Sequence, residues 1–162
     1  MRQALYRKGG GQVLEIARAS VEDEKDIFRL VRELADAVGF AEQAPLIDIG
    51  IWSRTLEKML ASPDWVFLLA REDGEAVGLL IFFVRPTLTS GLNRATITEM
   101  IVSEKARGKG VGRRLIEEAK KIALERGCTI FDVSTELDNA GAEGFYTRMG
   151  FTRRRNYYEA QL

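Results

Sequence analysis

Apolar positions along this chain follow two rhythms. From Gln12 to Ala19 they alternate, with Val13, Leu14 and Ile16 set against Glu15 and Arg18, the period of a half-buried strand. Ser20 then stands three residues before Asp23, as in a capping box, and Ile27, Leu30, Val31, Leu34, Ala35 and Val38 recur at helical spacing until Gly39. A second helix is expected over about residues 48–60, where Ile49, Trp52, Leu56 and Met59 share a face and Ser62–Pro63 closes it. Between Trp65 and Arg85 two apolar runs flank R-E-D-G-E, whose Asp73–Gly74 pair signals a hairpin of antiparallel strands. A polar connection, Pro86 to Arg94, leads to the strand Ala95–Val102. After the stretch S-E-K-A-R-G-K-G-V-G comes a helix with Val111, Leu115, Ala119, Ile122 and Ala123 on one face, ending at Arg126–Gly127, and then the strand Thr129–Ser134. Strand, helix and strand in such short order make a right-handed crossover, which requires the flanking strands to be parallel. Asn139–Met149 reads as a last short helix, although Gly141 and Gly144 lower its propensity, and F-T-R-R-R-N-Y-Y-E-A as a closing strand. The chain is therefore α+β (mixed α/β), its sheet antiparallel first and parallel later.

Composition narrows the frame. At 162 residues, 46% of them hydrophobic, there is material for one domain with a real core. The opening M-R-Q-A-L-Y-R-K-G-G-G suits a flexible tail over residues 1–11, or equally a docking arm; the tail is the expectation, with 12–162 as the folded domain. Twenty-four basic residues balance twenty-four acidic ones, so no overall charge favours nucleic acid as a partner. Cys128 is the single cysteine, which rules out an intrachain disulfide framework and suits a reducing compartment. The longest apolar run, Ala76–Val84, is too short to span a membrane, and no apolar segment follows the basic N-terminus; a cytoplasmic location is expected. Histidine is absent, so imidazole-based triads and His metal sites drop out, no metal is expected, and acid–base work falls to carboxylates, tyrosine, lysine, cysteine or water.

The glycine-rich stretch, Ser103 to Gly112, opens a helix. A helix start offers amides without intrahelical acceptors and the positive end of the macrodipole, and Gly110 to Arg113 stand there. Arg107, Lys109, Arg113 and Arg114 add positive charge, as a polyanion would require. A plain tight turn between strand and helix uses the same glycines. A Walker loop would need Lys-Ser or Lys-Thr after Gly112, where Arg113–Arg114 stand, and the dinucleotide pattern G-x-G-x-x-G meets Arg113 or Leu115 at its third glycine.

What remains, Arg107-x-x-Gly110-x-Gly112 between strand and helix, resembles the acyl-coenzyme A signature of the GNAT superfamily of N-acetyltransferases. The resemblance continues through T-E-M-I-V before the loop, I-F-D-V-S after the helix, then Asn139-x-x-Ala142-x-x-Phe145-Tyr146 and Met149-Gly150-Phe151, about a third of the chain. It implies a single-domain GNAT-like fold: a twisted, mostly antiparallel mixed sheet with helices on both faces and a parallel βαβ unit holding acetyl-CoA as co-substrate. Backbone groups near Ile101, Val102 and Ser103 would bond the pantetheine arm. The amides of Arg107, Gly108, Lys109, Gly110, Val111 and Gly112, with Arg113 beside them, would hold the pyrophosphate. Asn139 would face the cofactor arm, and it also suits an N-cap for the last helix.

The same resemblance gives Tyr146 the role of proton donor to the departing thiolate and Glu99 that of the acidic group beside the loop, as general base or as ligand for a cationic substrate. An alkyl amine is only about 0.1% unprotonated at pH 7, so some group must take its proton. Glu136 is a weaker substitute, and Cys128, at a helix-to-strand junction, suits a small buried side chain. The acceptor is expected between the first two helices, their connection and the Pro86–Arg94 segment; Glu42, Asp48 and Glu99 suit a cation, Arg54, Arg85 and Arg94 an acid. The function expected is acetyl transfer to the primary amine of a small molecule by direct attack in a ternary complex, against two rivals: a protein N-terminal or lysine acetyltransferase, and a non-catalytic CoA-binding sensor. The closing strand and the Tyr157–Tyr158 pair offer an edge and aromatic surface for a homodimer.

Overall fold

A computed structural model describes residues 4–7, 13–39, 48–135, 139–153 and 160. Among these, strands β1 (Ala4–Arg7), β2 (Val13–Arg18), β3 (Trp65–Glu72), β4 (Glu75–Thr87), β5 (Leu92–Val102) and β6 (Cys128–Val133) form one sheet in chain order. Helices α1 (Glu24–Ala37) and α2 (Ile49–Ala61) lie between β2 and β3, α3 (Val111–Glu125) joins β5 to β6, and α4 (Ala140–Arg148) follows. Neighbouring strands are antiparallel except β5 and β6, which are parallel as the α3 crossover demands. This is the mixed α+β architecture the pattern implied.

Local chemistry sets most of the boundaries. The Ser20 hydroxyl accepts from the Glu22 amide at 3.3 Å and Asp23 Oδ2 accepts from the Ser20 amide at 2.8 Å, a capping box that opens a 3-10 turn ahead of α1. Asp48 caps α2, its Oδ1 accepting from the Ile51 amide at 2.9 Å. Asp73 (φ 49°) and Gly74 (φ 84°) are both left-handed, the turn a tight hairpin needs. β3 and β4 are apolar nearly throughout because both faces are covered. Leu14, Ile16, Val66, Leu68, Leu80 and Phe82 pack against Val111, Leu115 and Ile116 of α3. On the opposite face Phe67, Leu69, Leu79, Ile81 and Ile101 pack against Ile27, Leu30 and Leu56 of α1 and α2.

Two sequence expectations change. Residues 4–7, read as part of a tail, form a strand paired Ala4↔Ile16 to Arg7↔Val13, and the Tyr6 ring lies beneath the Arg114 guanidinium at 4.5 Å. A contact with α3 more than a hundred residues away leaves no local sequence signal. The connection Pro86–Arg94 is mostly strand: Arg85↔Arg94, Pro86↔Asn93 and Thr87↔Leu92 are cross-strand pairs, and residues 88–91 alone turn the chain, with Gly91 at φ 67°. Asn93 also donates from Nδ2 to the Arg126 carbonyl at 2.8 Å, satisfying the end of α3. Glu42, Glu136, Tyr157, Tyr158 and most of the expected closing strand lie outside the described residues. Among the described residues no helix is long and apolar enough to cross a membrane.

Candidate active site

The site is built where β5 parts from β6. Their pairing runs from Asn93↔Cys128 to Ile97↔Val133 and stops, so among the described residues no strand continues beside Thr98–Val102 on that side. The closed part is pinned by a salt bridge between buried Arg94 and Asp132. Arg94, a candidate for gripping an acidic acceptor, is therefore committed inside the sheet.

At the parting point β5 carries a bulge. Ile81 pairs with Glu99 but Phe82 pairs with Ile97, which makes Thr98 an extra residue. The bulge inverts the alternation of β5. Ile97 and Met100, three apart, both face α3, whereas Glu99 and Ile101 share the α1/α2 face with their partners Ile81 and Leu79. Glu99 is half-buried; burial pushes its carboxyl pKa up, and a hydrogen bond from the Thr98 hydroxyl opposes that rise.

On the α3 face, Met100 meets α4. The Tyr146 hydroxyl donates to Met100 Sδ at 3.6 Å, and the Tyr146 ring packs edge-on against Phe145 (5.3 Å) and Phe151 (5.5 Å). Burial pushes the Tyr146 phenol up to about 12. Asn139 caps α4, its Oδ1 accepting from the Ala142 amide at 2.9 Å.

The glycine loop lies at the end of β5. Gly108 (φ 73°) and Gly110 (φ 83°) are left-handed, with open space where a Cβ would stand. Gly112 has a different reason: a Cβ there would lie 3.3 Å from Met100 Cε and 3.3 Å from Phe145 Cζ, so it is the contact point of α3 with β5 and α4. Gly78 plays the same part on β4, where a Cβ would meet Leu115 Cδ1 at 3.1 Å and Val111 Cγ1 at 3.2 Å. With side chains removed at both points, the start of α3 sits down on the sheet beside the parted strands. The first amide of α3 with a helical acceptor is that of Arg114, which donates to Gly110 O at 3.1 Å. Those of Gly108 through Arg113 have none among the described residues.

Other expected ligands are partly spent within the protein. The Arg107 amide donates to Glu104 O at 3.1 Å, and its Nε to Val102 O at 3.0 Å, leaving the exposed end of the guanidinium. Ser103 donates its amide to Val77 O (2.9 Å) and accepts from the Ala106 amide at 2.8 Å, so its backbone is occupied. Lys109 and Arg113 are exposed at the loop, Arg113 Nε lying 3.9 Å from Glu117. Arg114 is turned away, held by Glu117 at 2.9 Å and by the Tyr6 ring. Cys128 is buried and its thiol pKa is raised by burial, which suits packing rather than nucleophilic attack. The arrangement fits an elongated ligand with a phosphate group: donors without acceptors at a helix start, guanidinium and ammonium groups around them, and an open strand edge leading to Glu99 and Tyr146.

Comparison with known proteins agrees with this geometry. Residues 27–151 match the model of the acetyltransferase (GNAT) family. An aminoalkylphosphonate N-acetyltransferase from Salmonella typhimurium is 25% identical over 139 residues, 86% of this chain and 85% of that protein. An aminoglycoside N(6')-acetyltransferase type 1 from Klebsiella aerogenes is 35% identical over 100 residues, 60% of this chain and 65% of its own length. Among solved structures, one described as a transcriptional regulator from Bacillus halodurans C-125 superposes with a TM-score of 0.82 at 26% identity, covering 92% of this chain and 99% of its own. The chain belongs to the GNAT family of acetyltransferases and is an acetyl-CoA-dependent N-acetyltransferase.

Proposed function

We propose that the enzyme transfers the acetyl group of acetyl-CoA to a primary amine of a small molecule, by direct attack with both substrates bound. The observation that carries this reading is the row of amides from Gly108 to Arg113 at the head of α3 that have no acceptor among the described residues, set beside the edge Thr98–Val102, which no described strand pairs on that side. In this reading the amides and the Arg107 guanidinium hold the pyrophosphate, with Lys109 and Arg113 at the rim. The Ser103–Val77 bond sets the register so that the backbone of Ile101 is turned to β4 and that of Val102 to the open edge, where its amide receives the pantetheine arm, and Asn139 stands at the arm's far side.

The chemistry divides between the two faces of β5. As the amine nitrogen bonds to the thioester carbon it must lose a proton, and Glu99, on the α1/α2 face, takes it directly or through water. A carboxyl raised by burial is a better match to that task than an ordinary one, provided it is ionised at the working pH. The C–S bond then breaks, and the departing sulfur accepts a hydrogen bond from Tyr146. With the phenol near 12 and a thiol at about 8.5, complete proton transfer would be uphill by about 3.5 units, roughly 5 kcal/mol. Tyr146 therefore acts as a donor that stays protonated, water supplying the proton in the end. A backbone amide of the open edge steadies the developing oxyanion; the register turns those of Met100 and Val102 outward and that of Ile101 toward β4.

Small-molecule acceptors are favoured by the two relatives above, whose names specify an aminoalkylphosphonate and an aminoglycoside. A thiol-release assay with acetyl-CoA against small amines, amino acids and peptides tests the reading. Turnover with small amines is expected; turnover confined to peptides would establish a protein acetyltransferase instead, and silence alongside tight CoA binding a sensor.

A further inference from the structure

Glu33 is remote from the reacting atoms, yet it reaches the foot of the glycine loop. From α1 its Oε2 accepts from Ser103 Oγ at 2.8 Å and its Oε1 from the Glu104 amide at 3.2 Å. Ser103 is 3% exposed and heads the short 3-10 turn Glu104–Ala106 from which the loop departs. A serine in that position ordinarily turns its own oxygen onto the next amides. Here its hydroxyl donates to Glu33 instead, and Glu33 takes the free amide of Glu104, so the cap of this turn is supplied by another helix. One turn earlier, Arg29 donates to Ala76 O at 2.6 Å, while the Ser103 amide holds Val77 O at 2.9 Å. The C-terminal half of α1, the start of β4 and the end of β5 thus meet in one hydrogen-bonded junction, and two of its bonds are charge-assisted through Glu33.

We propose that Glu33 is a positioning residue that fixes the foot of the cofactor loop and couples it to α1, so that occupancy of the loop by CoA also orders the helix flanking the acceptor side. This rests on the reading of Gly108–Arg113 as the CoA phosphate site. A loop whose first turn is capped from α1 cannot tighten around an anion without tightening its hold on α1, and coupling of this kind needs no large displacement.

Hydrogen exchange on the full chain with and without saturating CoA is the test, folding of each variant being checked by circular dichroism. In the wild type, CoA is expected to slow exchange in residues 103–113 and also, by about threefold or more, in residues 31–38. In Glu33→Ala the loop is still protected and the effect on 31–38 disappears, while KM for acetyl-CoA rises about three- to tenfold with kcat little changed. Glu33→Gln keeps an oxygen for the Glu104 amide and a donor for the Ser103 hydroxyl, and is expected to restore KM to within about twofold. Should Glu33→Ala not fold, Ser103→Ala removes one of the two bonds and is expected to halve the coupling or more. Protection of the loop alone in the wild type, or full coupling retained in Glu33→Ala or in Ser103→Ala, overturns the role of Glu33 and leaves the loop reading standing. No protection anywhere in 103–113 overturns both.

Discussion

Replacing Tyr146 by Phe removes one oxygen atom and keeps the ring that packs against Phe145 and Phe151. The lost hydrogen bond goes to a thioether at 3.6 Å, a weak acceptor, so stability at neutral pH should change by less than about 1 kcal/mol. The effect on rate should be larger. A hydrogen bond to a departing thiolate is a bond to a charged group, worth about 1.5–3 kcal/mol, which corresponds to about a 10- to 100-fold loss in kcat with little change in KM for acetyl-CoA. Because burial holds the phenol near 12, Tyr146 should impose no fall in kcat between pH 7 and about 10. Stability gives an independent check. The folded pKa lies above the ordinary value of 10, so the stabilising contribution is intact below pH 10 and is lost as pH rises through about 12. Two units correspond to about 2.7 kcal/mol in all, about half of it lost by pH 11, a loss the wild type should suffer and Tyr146→Phe should not. Steady-state kinetics from pH 6 to 10 and denaturant unfolding at pH 8 and 11 measure both. An unchanged kcat, or a basic limb below pH 9 that Tyr146→Phe abolishes, would refute the reasoning.

Glu99→Gln should lower kcat by about 10²-fold or more and flatten the acidic limb of the pH–rate profile, which in the wild type should lie above the ordinary carboxylate range because burial raises this carboxyl. An acidic limb that persists in Glu99→Gln assigns the base elsewhere. The glycines of the loop should respond differently to alanine. Gly110→Ala places a Cβ on a left-handed residue in open space, costing about 1 kcal/mol and weakening CoA binding without touching Tyr146. Gly112→Ala sets a methyl 3.3 Å from Met100 Cε and from Phe145 Cζ, so both must give by a few tenths of an ångström, and it should reduce kcat as well, since Met100 is the partner of Tyr146. Calorimetry with CoA and parallel kinetics separate the two; identical profiles would mean that the glycines share one role.

Much of this arrangement was legible because its causes are local. The capping box at Ser20, the Asp73–Gly74 turn and the apolar face of α3 each depend on neighbours within a few residues, and the parallel pairing of β5 with β6 follows from a crossover too short for any other connection. The glycine loop was readable for the same reason. What stayed hidden depends on partners distant in sequence. β1 pairs with nearby β2, but its Tyr6 is covered by Arg114 from α3, and Glu33 meets Ser103 across a separation of 70 residues. Gly112 looked like one of three equivalent glycines, yet its requirement comes from Met100 and Phe145. The Thr98 bulge cannot be read from β5 alone, since an extra residue is defined only against β4; its faint trace is the i, i+3 spacing of Ile97 and Met100, which a regular strand would send to opposite sides.

That surplus residue sets the phase of everything downstream of it. Deleting Thr98 would rotate the end of β5 by half a turn and exchange the neighbours of Glu99 and Met100, carrying a carboxylate toward α3 and a thioether toward α1. With the insertion in place, the two sides of the strand are chemically independent: one can be recut to admit a different amine while the other keeps its grip on sulfur.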